Sequence, residues 1–332
     1  MASRATTPLV SVLTPVWNAT RFVGDAIRSI QAQDLAAWEM ILVDDGSTDD
    51  SAERIRALSE RDPRVRLLRG AHGGVSKARN LALEAAGGEY VANLDADDLA
   101  RPGRLRAQVD FLRAHPECVA VGTHLRFVDA SGWPIRPSRH PTDHAGILAE
   151  LHQGRGLALC HSSAMFRREA LERVDPYDEA LRRGEDLDLY LRLASLGELR
   201  NLPEILLDVR RHFSLSFDEA HEDDRQQRRE LIERAYAKLG RTPPPLDIQV
   251  RTPPMTRGQW HAATTSAALD AGHRGTALKH SLLAVADAPL TQSSWLAVGA
   301  SLLGRRVSRA LIQNVPGLAR RAERVARPSA EE

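Results

Sequence analysis

Residues 90 to 98 read YVANLDADD, a run of small and apolar positions that ends in Asp95, Asp97 and Asp98. Asp95 and Asp97 project from alternate positions where a strand should stop. Carboxylate oxygens are the hard ligands that Mn²⁺ and Mg²⁺ take, and both ions share their ligand shell with substrate phosphates. The same residues also suit an acidic turn and a helix cap, and a second D-x-D, DLD at 186–188, falls inside an expected helix. A second acidic pair, Asp44 and Asp45, closes the apolar run Met40 to Val43 and is followed by Gly46 for a turn and Ser47 to Asp50 as helix caps. Two adjacent acids exceed what capping needs. A carboxylate there can accept the imide N–H of uracil or thymine, or a ribose hydroxyl.

Two further stretches carry charge at helix starts. GGVSKARN (73–80) offers Ser76 as a cap and sets Lys77, Arg79 and Asn80 in a first turn. Cations there oppose the helix dipole unless an anion, such as a diphosphate, lies nearby. GEDLDLYLRLASLG places Glu185 and Asp186 in the first turn of an amphipathic helix whose stripe is Leu187, Tyr190, Leu191 and Ala194. Acids at that end also suit the dipole on their own account. His161 and His212 read as ligands or core histidines, with a structural or acceptor-side role favoured for His161. No G-x-G-x-x-G follows a strand and no G-x-x-x-x-G-K-[ST] occurs, which disfavours a dinucleotide site and a P-loop and leaves phosphate handling to a metal.

The elements that must position these groups alternate strand and helix, as in an α/β domain with a mostly parallel sheet. Strands are expected over Leu9 to Thr14, Met40 to Val43, Val65 to Leu68, Tyr90 to Leu94 and Val119 to Gly122, with helices around 21–33, 50–60, 75–86 and 102–114. Ligands of such sheets gather at the carboxyl ends of strands, where TPVWN, DDGSTDD, AHGGVSKARN and DADD fall. A helix over 143–152, a strand over 162–167, a helix over 185–195 and two short strands near 198–201 and 205–210 follow. Prolines in TPPPLDIQVRTPP mark 241–256 as a linker. Beyond it come a helical hairpin and two further helices, near 291–303 and 305–326. The expected division is a catalytic domain over 1–240, the linker, and a helical region over 257–332.

Lys+Arg 45 against Asp+Glu 44 gives a net charge of +1 over 332 residues, so no global field recruits nucleic acid. Cys118 and Cys160 have neither ligand spacing nor a disulfide framework, which suits a reducing compartment. No apolar stretch near the N-terminus is long enough for a signal peptide, and WLAVGASLLG (295–304) is too short to span a bilayer. A cytoplasmic location is expected. From Gly304 to Arg327, seven arginines face a single acid, Glu323, with Leu311, Ile312, Val315, Leu318 and Val325 interleaved. Such a basic amphipathic segment over 305–327 can lie on an anionic leaflet, although Pro316 interrupts it; packing on the preceding hairpin is the alternative.

Seven stretches, VSVLTPVWNAT, ILVDDGSTDDS, GGVSKARN, YVANLDADD, HSSAMFRREALERV, GEDLDLYLRLA and RRHFSLS, resemble in this order the family 2 glycosyltransferases of the GT-A fold. The resemblance implies an enzyme that moves a sugar, with inversion, from a nucleotide-diphosphate sugar donor to a hydroxyl of a glycan, glycolipid or protein. It puts Pro15, Trp17 and Asp45 near the base and Asp95 and Asp97 at the metal, with Asp97 as the direct ligand of Mn²⁺ or Mg²⁺. Asp186 matches the general base, and His212 a residue that some relatives bring to the metal or phosphate. Asp44, Lys77 and Arg79 join the donor side, while Glu185, His161 and Arg210 are acceptor-side or supporting. Trp17 stands where Tyr is more usual, and Val209 where an aromatic often precedes the Arg-x-His pair. A nucleotidyltransferase on the same fold would carry a glycine-rich Arg-Lys loop after the first strand, which TPVWNAT lacks. A catalytically inactive sugar-binding or scaffold protein would not need the intact Asp97 and Asp186.

Overall fold

The computed structural model describes residues 7–211, 224–248, 256–289 and 291–303. They form two compact units, one of residues 7–125, 139–209 and 224–248, the other of residues 126–138, 210–211, 256–289 and 291–303. The second unit thus takes in residues 126–138, which the sequence division assigns to the first domain. His212 and the expected helix over 305–326 lie outside the described residues.

The first unit is built on a sheet whose strands β1 (Val10–Val16) and β2 (Trp38–Asp44) are almost wholly buried. Parallel strands covered on both faces require such unbroken apolar runs. β3 (Val65–Arg69) and β4 (Tyr90–Asn93) complete a parallel set in the order β3-β2-β1-β4. The covering helices are α1 (Val23–Gln31), α2 (Ser51–Ser59) and α3 (Val75–Glu84). α1 buries Val23, Ala26, Ile27 and Ile30, one helical stripe. Register decides the site: Val16 pairs with Asp44 and Leu13 with Asn93. The acids after β2 and β4 therefore emerge at the same edge.

The rest of the sheet departs from the parallel pattern. Beyond β4 lie β8 (Met165–Arg167), β6 (Cys118–Asp129), β9 (Glu198–Arg211) and β5 (Leu99–Ala100), and β8 is antiparallel to both β4 and β6. β6 outruns the expected Val119 to Gly122. The glycine is no terminator: the Asn201 side chain packs where its Cβ would stand, the close-approach role of a strand glycine. The two short strands expected near 198–201 and 205–210 are one strand, β9. Pro203 within it is exposed and its fixed φ fits extended backbone, so it removes a donor without ending the strand. Helices α4 (Arg104–Ala114), α5 (His144–His152), α6 (Arg168–Arg173), α7 (Glu185–Leu193) and α8 (Asp224–Lys238) belong to this unit.

In the second unit, β7 (Pro134–Ser138) pairs with β6, and α9 (Arg257–Asp270), α10 (Arg274–Asp287) and α11 (Gln292–Leu303) follow. Thr256 and Gln259 form a capping box at the start of α9. Its interior holds a polar seam. Asp129 accepts from Lys279 Nζ at 2.6 Å, His280 Nε2 at 3.3 Å and the backbone N–H groups of Ser131 and Trp133. His280 Nδ1 lies 2.8 Å from His261 Nδ1. Burial first, then the neighbouring His280, hold His261 down at about 4. Below the ordinary value of 6.5 the unfolded chain takes a proton that the folded unit refuses, so stability present above pH 6.5 drains away as pH falls towards 4. Urea midpoints followed by tryptophan fluorescence should fall across that window, and His261→Asn should flatten the fall. An equally steep profile in the variant would remove His261 as its source.

Candidate functional site

The turn after β4 is held by backbone bonds. Leu94 N–H donates to Leu13 O at 3.1 Å, Asp95 N–H to Ser162 Oγ at 2.9 Å and Asp98 N–H to Asp95 O at 3.1 Å. Asp98 is buried, while Asp95 and Asp97 are half-buried. Arg79, from α3, is only 5 % exposed and joins two distant motifs. Its Nη2 donates to Asp95 at 3.0 Å and its Nη1 to Glu185 at 2.7 Å. Burial works against its charge, but Asp95, Tyr177 and Glu185 outweigh that and hold it firmly protonated. Asp95 keeps 39 % of its side chain open, yet the protein packed about its carboxylate raises its pKa, against Arg79 and with Asp97 and Glu185.

Asp186 follows Gly184, whose left-handed φ of 76° opens α7. Its Oδ1 accepts from Leu187 N–H at 2.8 Å. A Cβ on Gly156 would stand 3.1 Å from its Oδ2, so that backbone passes close to the carboxylate. Burial, and then the charge of Glu185, push Asp186 up to about 6. A carboxyl so placed is ionised at neutral pH and more basic than an ordinary Asp, as a general base requires.

Asp188, two residues on, is of another kind. It is fully buried, accepts from Arg192 at 2.7 Å and from Lys238 at 3.2 Å, and Arg192 in turn donates to the carbonyls of Asp175 and Pro176, each at 2.6 Å. Breaking such a pair from one side leaves a buried charge uncompensated. Asp188→Asn should therefore cost about 3 kcal/mol or more of stability, seen as a lower urea midpoint. A midpoint equal to wild type would contradict the ion-pair role.

Behind the Arg79 bridge lies a network that the sequence reading did not assemble. Asn93 Nδ2 sits 2.9 Å from Tyr177 Oη and 2.8 Å from His161 Nε2, and His161 Nδ1 is 2.7 Å from Tyr190 Oη. Burial first, and Arg79 second, keep His161 well below its ordinary value and hence neutral. Fully buried Arg104 donates to Asn93 O at 2.8 Å. His161 is thus a core member of the network rather than a surface ligand.

At the other strand end, both oxygens of Asp45 accept backbone N–H groups, from Gly73 at 2.9 Å and Gly74 at 2.7 Å. Asp45 so ties the loop before α3 to the end of β2. Asp44 accepts from Ser47 N–H at 3.0 Å and, with Asp49, Glu53, Arg69 and Gly70 among others, lines a hollow of ≈ 200 Å³. Trp17 is 60 % exposed, its ring 5.9 Å from that of His72. Pro15 is half-buried in β1, and Lys77 is exposed on the first turn of α3. Ser76 does not cap that helix. Gly74, with φ of 90°, takes the cap position, and Ser76 lies buried within the first turn. Arg210 belongs to the second unit, where it donates to Ala130 O at 3.0 Å.

Among the described residues no three His, Cys, Asp or Glu side chains gather closely enough to hold a metal by themselves. Asp95 and Asp97 nonetheless fit Mn²⁺ or Mg²⁺, because such ions are commonly held by one or two carboxylates and complete their shell with phosphate oxygens and water. No described helix is long and apolar enough to cross a membrane.

The putative glycosyltransferase EpsE of Bacillus subtilis is 33 % identical over 228 residues, 64 % of this chain and 80 % of that protein. S. aureus TarS 1–349 in complex with UDP-GlcNAc superposes with a TM-score of 0.55 at 16 % identity, covering 96 % of this chain and 88 % of that one. The mannosyltransferase PcManGT of Pyrobaculum calidifontis, in complex with GDP-Man and Mn²⁺, gives a TM-score of 0.51 at 22 % identity over 97 % of this chain and 86 % of that one. These structures share its GT-A fold. The model of glycosyl transferase family 2 matches residues 11–175, the span from β1 past the D-x-D. On these matches the chain belongs to glycosyl transferase family 2 and is a glycosyltransferase.

Proposed function

We propose that the protein transfers a sugar from a nucleotide-diphosphate sugar to an acceptor hydroxyl in a single inverting displacement, in the synthesis of a cell-surface glycan or glycoconjugate. The observation that carries this reading is the buried Arg79, which draws the D-x-D and the Glu185–Asp186 pair to one cation. Leaving group and base must flank one anomeric carbon, and this bridge brings their protein partners together.

Trp17, Pro15 and Asp45 receive the base, and exposed Lys77 at the head of α3 favours the diphosphate. Asp97, with Asp95, would hold Mn²⁺ or Mg²⁺, which supplies positive charge to the departing diphosphate. Asp186 takes the proton of the acceptor hydroxyl as its oxygen bonds the anomeric carbon and the carbon–oxygen bond to the diphosphate breaks, the electron pair leaving with the diphosphate. Glu185 and the Arg79 charge fix that carboxylate's surroundings, and His161 supports them from the buried network. The acceptor is a hydroxyl of a glycan, glycolipid or protein.

A thermal-shift screen of UDP- and GDP-sugars with Mn²⁺ tests the reading. A donor at 100 times its dissociation constant adds roughly 2.7 kcal/mol, so at least one should raise the melting temperature saturably. Pyrophosphate release from a nucleoside triphosphate and a sugar phosphate, with no response to nucleotide sugars, would favour a nucleotidyltransferase instead.

A further inference from the structure

Asp186 is flanked by two glycine turns, and one helix of the first unit touches both. On one side Gly184 opens α7 at a φ of 76°, and a Cβ there would collide with Leu231 Cδ2 of α8. On the other side, residues 154–156 lead into a 3₁₀ turn over Gly156–Leu159. Gly154 holds a φ of 75°, and a Cβ on it would stand 2.9 Å from Arg228 Cδ, again of α8. Its carbonyl accepts from Arg228 Nη1. Two residues on, the backbone of Gly156 faces the Asp186 carboxylate, since a Cβ there would lie 3.1 Å from Oδ2 and 3.7 Å from Oδ1. A left-handed φ already favours glycine at 154 and 184. At both turns the missing Cβ also makes room for α8.

We propose that α8 is a clamp on Asp186: Leu231 backs the Gly184 turn, Arg228 ties down Gly154, and the Gly156 backbone is thereby held over the carboxylate. Arg228 and Leu231 stand three positions apart on α8 and so share a face. The helix itself is anchored away from the site. Ile232 and Ala235 are fully buried in the core, and Lys238 reaches Asp178 at 2.8 Å and Asp188 at 3.2 Å. A side chain carried on a helix fastened in this way is placed more precisely than one on a loop. Backbone held against Oδ2 keeps water from that side of the carboxylate, and excluding water from an Asp makes it more basic. Arg228 is therefore a positioning residue, acting through Asp186. The clamp stands on these contacts alone, while its bearing on turnover rests on the reading of Asp186 as the base.

Carbon NMR of the full chain carrying isotope-labelled aspartate carboxyls follows Asp186 directly, its signal identified by its loss in Asp186→Asn. In Arg228→Ala the tie to Gly154 is gone and water reaches the carboxylate, so its titration midpoint should fall by about one pH unit. Loss of a cation alone would push the midpoint up, so the downward move is the mark of lost cover. Arg228→Lys keeps a donor for Gly154 O and should restore most of the wild-type midpoint. Gly156→Ala sets a methyl group against Oδ2 and should raise the midpoint; it leaves Arg228 in place and decides the matter if Arg228→Ala does not fold. The pH profile of donor hydrolysis should follow the midpoint in each variant, with the donor KM unchanged. An unmoved or raised midpoint in folded Arg228→Ala, or an unmoved one in Gly156→Ala, would overturn the clamp. Midpoints that move as expected while hydrolysis ignores them would leave the clamp standing and remove Asp186 as the base.

Discussion

Asp186→Asn is expected to lower turnover by about 10² or more while making the protein more stable. The amide keeps the size of the side chain and its acceptor for Leu187 N–H, but has no basic lone pair for the acceptor proton. The stability gain follows from the same surroundings that make Asp186 basic. Its folded value of about 6 stands above the ordinary 3.8, so the unfolded chain ionises first as pH rises. The cost is absent below pH 3.8, grows through the window and is complete above about 6. Two pH units correspond to about 3 kcal/mol at most, and Asn, which cannot ionise, relieves it. The variant should therefore melt higher than wild type at pH 7 and equally at pH 3.5. Wild-type activity should climb with pH through about 6, whereas the residual activity of the variant should not. The donor-induced thermal shift should persist in both. A variant that turns over normally, or one that melts lower at pH 7, would contradict the assignment.

Chelation should abolish turnover, and Asp97→Ala should lower it by about 10² or more with the fold retained, because neutralising a departing diphosphate is worth several kcal/mol. Mn²⁺ or Mg²⁺ should restore the chelated enzyme and leave Asp97→Ala inactive. Asp95→Ala should behave differently. It strips Arg79 of one of its two carboxylate partners but also removes a carboxylate whose pKa the fold raises, so its melting temperature relative to wild type should rise as pH goes from 3.5 to 7. Full turnover in EDTA, or an unaltered rate in Asp97→Ala, would sink the metal assignment.

What could be read from the sequence was local. Apolar runs of strand length that stop at acids placed β1, β2 and β4 and the groups at their ends, because a buried parallel strand leaves an unbroken apolar run and its carboxyl end is open to ligands. Glu185 and Asp186 were legible for a similar reason, as acids at the head of a strongly patterned helix. The pairing of Arg79 with Glu185 was not, since 106 positions separate them and one chain carries no sign of which distant charge it will meet. Tyr177 sits in an irregular segment between α6 and α7, outside any periodic pattern. Ser76 reads as a cap only until Gly74 adopts a positive φ that a serine would strain to reach.

The anomeric configuration of the first-formed product tests the central claim most directly. Water can stand in for the acceptor, so slow hydrolysis of a pure α-linked nucleotide sugar by high enzyme concentrations suffices, followed by proton NMR before mutarotation. A single displacement assisted by Asp186 predicts that the β-anomer appears first and that Asp186→Asn suppresses its formation. Initial release of the α-anomer would contradict the account.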